Sequence, residues 1–229
     1  PADYFIPTSY DIYADGTAFR ELPGVNDYLG ENSSYDPEAA KQYFDLALEE
    51  TGVDKVSLNL IYNEAVEDLR AASETIQSSL TELFGADRFE LSISAMNNSA
   101  AIELMRTSQN GPTNGWDMCW GAWDLTAAIF YPNRKFEVYT SNDSRRFSQY
   151  NDKVLDELYE ESISEECRLD EVKRGELVME MEKELLGQVL EVPVFQGISR
   201  YIFSEDMIVP VDEYCNVIGF GFSYMDKAQ

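Results

Sequence analysis

Histidine is absent from this chain of 229 residues, and its absence excludes several kinds of active site. Ser-His-Asp and Cys-His nucleophile pairs, H-E-x-x-H zinc sites and imidazole general bases all need that side chain. The sequence also contains no G-x-S-x-G elbow, P-loop or G-x-G-x-x-G segment. Carboxylate chemistry, such as that of a glycoside hydrolase with two acids, therefore remains as the enzymatic alternative.

Basic residues are scarce: 17 lysines and arginines stand against 43 acidic residues, for a net charge of -26 and a pI near 4.1. A chain this acidic repels phosphate groups, so we expect neither nucleic acid nor an anionic membrane surface as a partner. Most of the carboxylates are expected to form a solvated surface. A salt-loving source is the alternative explanation of the same excess.

Cysteine is also sparse, and the three cysteines Cys119, Cys167 and Cys215 are far apart. They form no C-x-x-C pair, and we expect no metal site and no cofactor. Cys119 lies in an apolar run and is expected to be a small buried hydrophobe, while one disulfide with a third free thiol stays open. No apolar stretch approaches 18 residues, so no membrane-spanning helix is predicted.

Along the chain, segments whose apolar residues have the spacing of a strand alternate with segments whose apolar residues have the spacing of a helix. Asp36 and Pro37 predict a helix start, and Gly52 predicts its end. Further helices are predicted at 66–85, around Ile102, at 152–163 and at 170–187, with strands at 56–62, 89–95, 191–196 and 199–204. This order predicts an α/β fold with a central mixed sheet and helices on both faces.

All three tryptophans lie within the run WDMCWGAWD at residues 116–124. The run predicts a buried strand that leads into a loop, and large flat side chains at a strand end favour a binding pocket. Strand alternation would place Trp116 and Trp120 on one face and Trp123 on the other. Burial of the tryptophans in the core is the alternative.

The run at 116–124 resembles the "YD-apolar-apolar-x-x-GW" strand of extracellular solute-binding proteins of the oligopeptide/dipeptide family, which serve ABC importers. Five other segments are similar to motifs of that family in the same order: PADYFIP at 1–7, YDPEAAK at 35–41, LNLIYN at 58–63, YNDKVLDEL at 150–158 and VPVF at 192–195. The resemblance therefore extends over nearly the whole chain.

The resemblance implies one lobe, the C-terminal one, of a periplasmic-binding-protein-like (type II) fold. It implies an extended segment at 1–35 that leads into the lobe, an α/β ligand-binding lobe at 36–205, and a tail at 206–229 that crosses back to the first lobe. The chain would then be a C-terminal fragment of a longer protein. That protein would be extracytoplasmic and lipid-anchored, with its anchor outside this chain.

The resemblance also implies the function and the site. Such a protein is not an enzyme: it binds peptides, or a related small solute, between two lobes and delivers them to the permease subunits of an ABC importer. An ungapped alignment places Trp123 on the family's tryptophan and Thr126 where an acid pairs with the peptide amine. A shifted register places Trp120 on that tryptophan, and Asp124 is close to the acid position in both registers.

These four residues, Trp120, Trp123, Asp124 and Thr126, are the expected ligand contacts. Because neither register puts an acid at the amine position, a sugar, a metal chelate or another class of peptide remains open as the ligand. A carboxylate-dependent glycoside hydrolase and a non-catalytic surface or adhesion domain are the alternatives to a transport protein.

Overall fold

The structure is a computed structural model that describes residues 4–8, 17–29, 35–107, 115–121, 131–143, 151–195, 204, 207–208 and 226–227. Helices and strands alternate along the first half of the chain, and helices dominate the second half. In chain order the elements are α1 (Pro37–Thr51), β1 (Val56–Asn63), α2 (Glu67–Phe84), β2 (Phe89–Met96), α3 (Asn98–Thr107), β3 (Met118–Cys119), a 3-10 helix (Pro132–Tyr139), α4 (Lys153–Ser162), α5 (Glu165–Arg168), α6 (Glu171–Gly187), β4 (Met207–Ile208) and β5 (Asp226–Lys227).

The helix ends follow the local signals in the sequence. The Asp36 carboxylate accepts a hydrogen bond from the Ala39 N–H at 2.9 Å, and Pro37 is the first residue of α1. Gly52 ends that helix in the left-handed conformation, with φ of 68°, which glycine adopts without steric cost. The predicted helices at 66–85, around Ile102, at 152–163 and at 170–187 are all confirmed to within a few residues.

The main sheet has the order β2-β1-β3, and its three described strands run parallel. Leu60 and Met118 are paired across β1 and β3 and pack with α1 and α2 on one face, whereas Ile61 and Cys119 pack with α3 on the other. The predicted α/β class with helices on both faces of a sheet is thus confirmed. An antiparallel strand, which the predicted mixed sheet requires, is not among the described strands of this sheet.

The predicted alternation of the tryptophan run is wrong at Trp116. Because β3 begins only at Met118, the period of two does not extend back to Trp116. Trp116 is buried beside Ile61 and α3, whereas Trp120 packs on the opposite face of the sheet with α2.

A second core lies outside the sheet and unites distant parts of the chain. Its buried side chains come from the segment before α1 (Phe5, Ile6, Phe19, Val25), the 3-10 helix (Phe136, Val138, Tyr139), α4 (Leu155, Tyr159) and α6 (Val178, Met181, Leu185). The sequence predicts an extended loop before α1, and the described part of this segment contains two single-turn 3-10 helices, Phe19–Glu21 and Asp27–Leu29. Its apolar side chains anchor it against α6.

The predicted strand at 191–196 is wrong over its described part, because residues 191–195 form no strand. Pro193 has no N–H to donate, and the alternating Val192 and Val194 are exposed rather than buried between layers. Residue 204 is the only described residue of the predicted strand at 199–204, and it has no regular structure.

The predicted tail lies mostly outside the described residues, including all of 211–224. Its described parts, β4 and β5, pair antiparallel with each other, with Met207 opposite Lys227. The three boundaries proposed for the chain stay predictions. Among the described residues, no helix combines the length and the apolar character that a membrane crossing requires.

Candidate functional site

The strand order of the sheet defines where a ligand would bind. From β1 the chain moves through α2 to β2 on one side, and then through α3 to β3 on the other side. The strand order therefore reverses at β1: β2 lies on one side of it, and β3, which the chain reaches from β2, lies on the other, so a switch point lies at the carboxyl ends of β1 and β3. Open α/β sheets bind their ligands at such a switch point. Here it lies next to Asn63, Cys119 and the residues that follow Cys119.

Trp120, one of the predicted ligand contacts, lies at this end of β3. Its indole N–H donates a hydrogen bond to the Ser73 hydroxyl on α2 at 2.7 Å, and its ring centroid is 5.9 Å from that of Phe195. The side chain is only partly buried. Its polar atom is thus engaged inside the protein, which leaves the ring surface as the part of Trp120 that could contact a ligand.

The other three predicted contacts, Trp123, Asp124 and Thr126, lie outside the described residues. The described residues break off at Gly121, two positions after β3, and these three residues come soon after Gly121 in the sequence. Their role as ligand contacts stays a prediction.

Glu191 is a residue at this site that the sequence analysis missed. Its carboxylate accepts a hydrogen bond from the Tyr139 hydroxyl, at the end of the 3-10 helix. Its Oε1 atom is 4.0 Å from the point where a Cβ on Gly121 would stand. Chain segments separated by 52 residues thus place a carboxylate and a phenol beside the end of β3.

The electrostatics of this cluster follow from its burial. Burial raises the pKa of Glu191, and the Tyr139 hydrogen bond and the positive charge of Lys135 oppose this increase. Burial and the Glu191 charge together raise the pKa of Tyr139 well above its usual value and that of Cys119 to about 11. At neutral pH Tyr139 therefore remains a neutral donor and Cys119 a neutral thiol, as expected for a small hydrophobe.

A second buried carboxylate, Glu182 on α6, has a structural environment. It is fully buried and accepts hydrogen bonds from the backbone N–H groups of Phe5 and Ile6, both at 2.7 Å. The Arg20 guanidinium and the Tyr28 hydroxyl also donate to it. Since its two oxygens already receive four donors, one of them cationic, this site has no capacity for a ligand.

The described part of the chain contains no group of three or more cysteine, aspartate or glutamate side chains that could hold a metal ion. Cys119 and Cys167 are both free thiols, while Cys215 lies outside the described residues. Two shallow hollows of about 250 and 390 Å³ lie on the outer side of α1 and α2 and along β2, and neither includes Glu191. The strand order, rather than either hollow, is the ground for taking the switch point as the candidate site among the described residues.

No family model matches the chain, and no curated protein matches it in sequence. Solved structures do match. The peptide-binding protein of a peptide ABC transporter has a TM-score of 0.64 and 18% identity, over 81% of this chain and 74% of that one. The substrate-binding domain of an oligopeptide ABC transporter from Bacillus anthracis has a TM-score of 0.62 and 20% identity, over 81% of this chain and 32% of that one.

A third similar structure is the pheromone receptor PrgZ, described with its mode of peptide binding, at a TM-score of 0.61 and 17% identity. The chain covers 32% of that receptor, so it spans about a third of two of these three proteins. Over about four fifths of its length, the chain shares its fold with parts of a peptide-binding protein and of a substrate-binding domain from peptide and oligopeptide ABC transporters.

Proposed function

We propose that this chain is part of the substrate-binding component of an ABC importer and that the complete protein binds peptides. The observation that carries this proposal is the shared fold, because two of the similar structures come from peptide and oligopeptide ABC transporters and the third is a receptor described with its mode of peptide binding. The switch point beside β3 supports it, because it offers a place for the ligand where this class of sheet binds one.

The proposed ligand is a peptide or a related small solute. Extended peptides bind largely through main-chain hydrogen bonds, which give affinity with little dependence on side chains. The proposed partners are the permease subunits of the importer, and the proposed location is outside the cytoplasm. A lipid anchor outside this chain would provide the only contact with the membrane.

Since the chain spans about a third of two of the similar proteins, we propose that a second lobe closes over the ligand. Half of the contacts and the enclosure of the cleft would then come from outside this chain. The isolated chain is accordingly expected to bind peptides at least 100-fold more weakly than the complete protein.

Native mass spectrometry of the complete protein, as encoded by its gene, tests the proposal. The probe is a pool of mixed-sequence peptides of three to six residues, with a pool of oligosaccharides of similar mass as the control. We expect bound peptides at micromolar concentration and no bound oligosaccharide. Absence of any bound peptide would contradict the proposal, and hydrolysis of a glycoside panel would favour the enzymatic alternative.

A further inference from the structure

The chain leaves α6 through a residue in a strained backbone conformation. Val189 has a φ of 53°, whereas all other positive φ values among the described residues belong to glycines. This left-handed conformation disfavours a residue with a Cβ by a factor of about 5–30, and a β-branched side chain tolerates it least. Val189 is largely exposed, so packing of its own side chain offers little compensation. Contacts elsewhere in the same segment must therefore hold this conformation.

Residues 190–195 follow directly and form a strap that connects three parts of the fold. The contacts of the strap are those of Leu190 with the second core, of Glu191 with Tyr139, and of Phe195 with Trp120. Residues 191–195 form no strand. Within the described part of the chain, the strap is therefore fastened by side chains rather than by a ladder of backbone hydrogen bonds.

The strap lies across the candidate site at the end of β3. Its Phe195 ring is 5.9 Å from the Trp120 ring, measured between centroids, and covers part of that ring. Val192, Val194 and Phe195 are all exposed over two fifths of their surface or more, so the strap buries little apolar area. A segment with few buried contacts opens at a low cost in free energy.

We propose that the strap closes and opens over the end of β3 by rotation of the backbone at Val189. In the closed position, the contacts of Glu191 and Phe195 hold Val189 in the left-handed conformation. When these contacts break, Val189 returns to a favourable negative φ, and the strap moves away from the Trp120 ring. The strained backbone thus favours opening, while the side-chain contacts favour closure. This motion goes beyond the proposed function, because it does not depend on peptide binding.

Alkylation of Cys119 in the complete protein measures how often the strap opens. The thiol lies at the end of β3, where burial and the charge of Glu191 raise its pKa to about 11 and so suppress its reactivity. Opening of the strap reduces both effects. The rate of reaction with iodoacetamide, followed by peptide mapping and mass spectrometry, therefore rises with the open population. Cys167, which is buried in α5, is the internal reference for opening of the whole fold.

Val189→Gly should slow the alkylation of Cys119 about 5–30-fold, because glycine adopts a positive φ without steric cost and the strap then stays closed. Val189→Ala retains a Cβ and is the matched control, which should react near the wild-type rate. In an ordinary flexible loop, glycine would instead increase the rate. Equal or faster alkylation of Cys119 in Val189→Gly would overturn the proposal. Slowing of Cys167 by the same factor would also overturn it, because that pattern indicates a change in global stability.

Release of the side-chain contacts should have the opposite effect on Cys119. Tyr139→Phe removes the donor to Glu191 and should speed up alkylation at least about 10-fold. Phe195→Ala removes the ring contact at a half-exposed position and should speed it up about 2–10-fold. Tyr43→Phe, at an exposed position of α1, is the matched control for loss of a phenol hydroxyl and should leave the rate unchanged. Wild-type rates in both Tyr139→Phe and Phe195→Ala would overturn the proposal, whatever the behaviour of the glycine variant.

Discussion

Replacement of Glu182 by leucine should cost the protein a large share of its stability. The change removes the acceptor of two backbone N–H groups at 2.7 Å and leaves the Arg20 guanidinium, 7% exposed, without its partner. Loss of one partner from a buried ion pair costs about 3–5 kcal/mol, against a total stability of roughly 5–15 kcal/mol for a typical protein. We therefore expect the free energy of unfolding to fall by about 3–5 kcal/mol.

Urea unfolding, followed by circular dichroism, measures this loss. Glu180→Leu is the matched control on the same helix, because Glu180 is exposed and pairs with Lys183 at the surface. It should change the stability by less than about 0.5 kcal/mol. The double variant Arg20→Leu/Glu182→Leu should recover part of the loss, since no unpaired charge remains. A loss below about 1 kcal/mol in Glu182→Leu would refute the argument that this network fixes the first segment to α6.

Three further predictions concern the site. Ser73→Ala should remove the hydrogen bond to the Trp120 indole, lower stability by about 1 kcal/mol and shift the tryptophan emission; unchanged emission would contradict it. Trp123→Ala and Asp124→Ala should each weaken peptide binding by the complete protein without changing its melting temperature, and wild-type affinity in both would show that the site is elsewhere. Glu191→Gln should gain stability relative to the wild type as pH rises from 4 to 7, as measured by urea titrations. Burial raises the pKa of Glu191 above 4.5 in the folded state, so ionisation of this carboxyl destabilises only the wild type. A stability difference that does not change with pH would contradict this prediction.

The parts of the fold that the sequence predicts well are those set by neighbouring residues. The start of α1 at Asp36 and Pro37 and its end at Gly52 depend on capping side chains and on one backbone conformation, all within a few residues. The apolar patterns of β1 and β2 predict both strands to within one residue of their observed ends. The residues within and beside each of these elements are therefore enough to predict it.

The parts that the sequence predicts poorly depend on partners far along the chain. Residues 191–195 have an apolar alternation typical of a strand, but a strand also needs a neighbour to accept its hydrogen bonds, and the pattern carries no information on that neighbour. Strand alternation predicts the wrong face for Trp116, because the alternation rule holds only inside a strand and β3 has two residues. Tertiary pairing, rather than propensity, decides both cases.

The candidate site shows the same limit of prediction from sequence even more clearly. Glu182 and Glu191 are nine positions apart in an acidic chain, and nothing in their immediate sequence separates them from the other carboxylates. Glu182 becomes structural because Arg20 and the backbone at Phe5 and Ile6 converge on it, whereas among the described residues Glu191 accepts a hydrogen bond from the Tyr139 hydroxyl. A carboxylate's role follows from the donors that the fold brings to it, and those donors here come from 52 to 177 residues away.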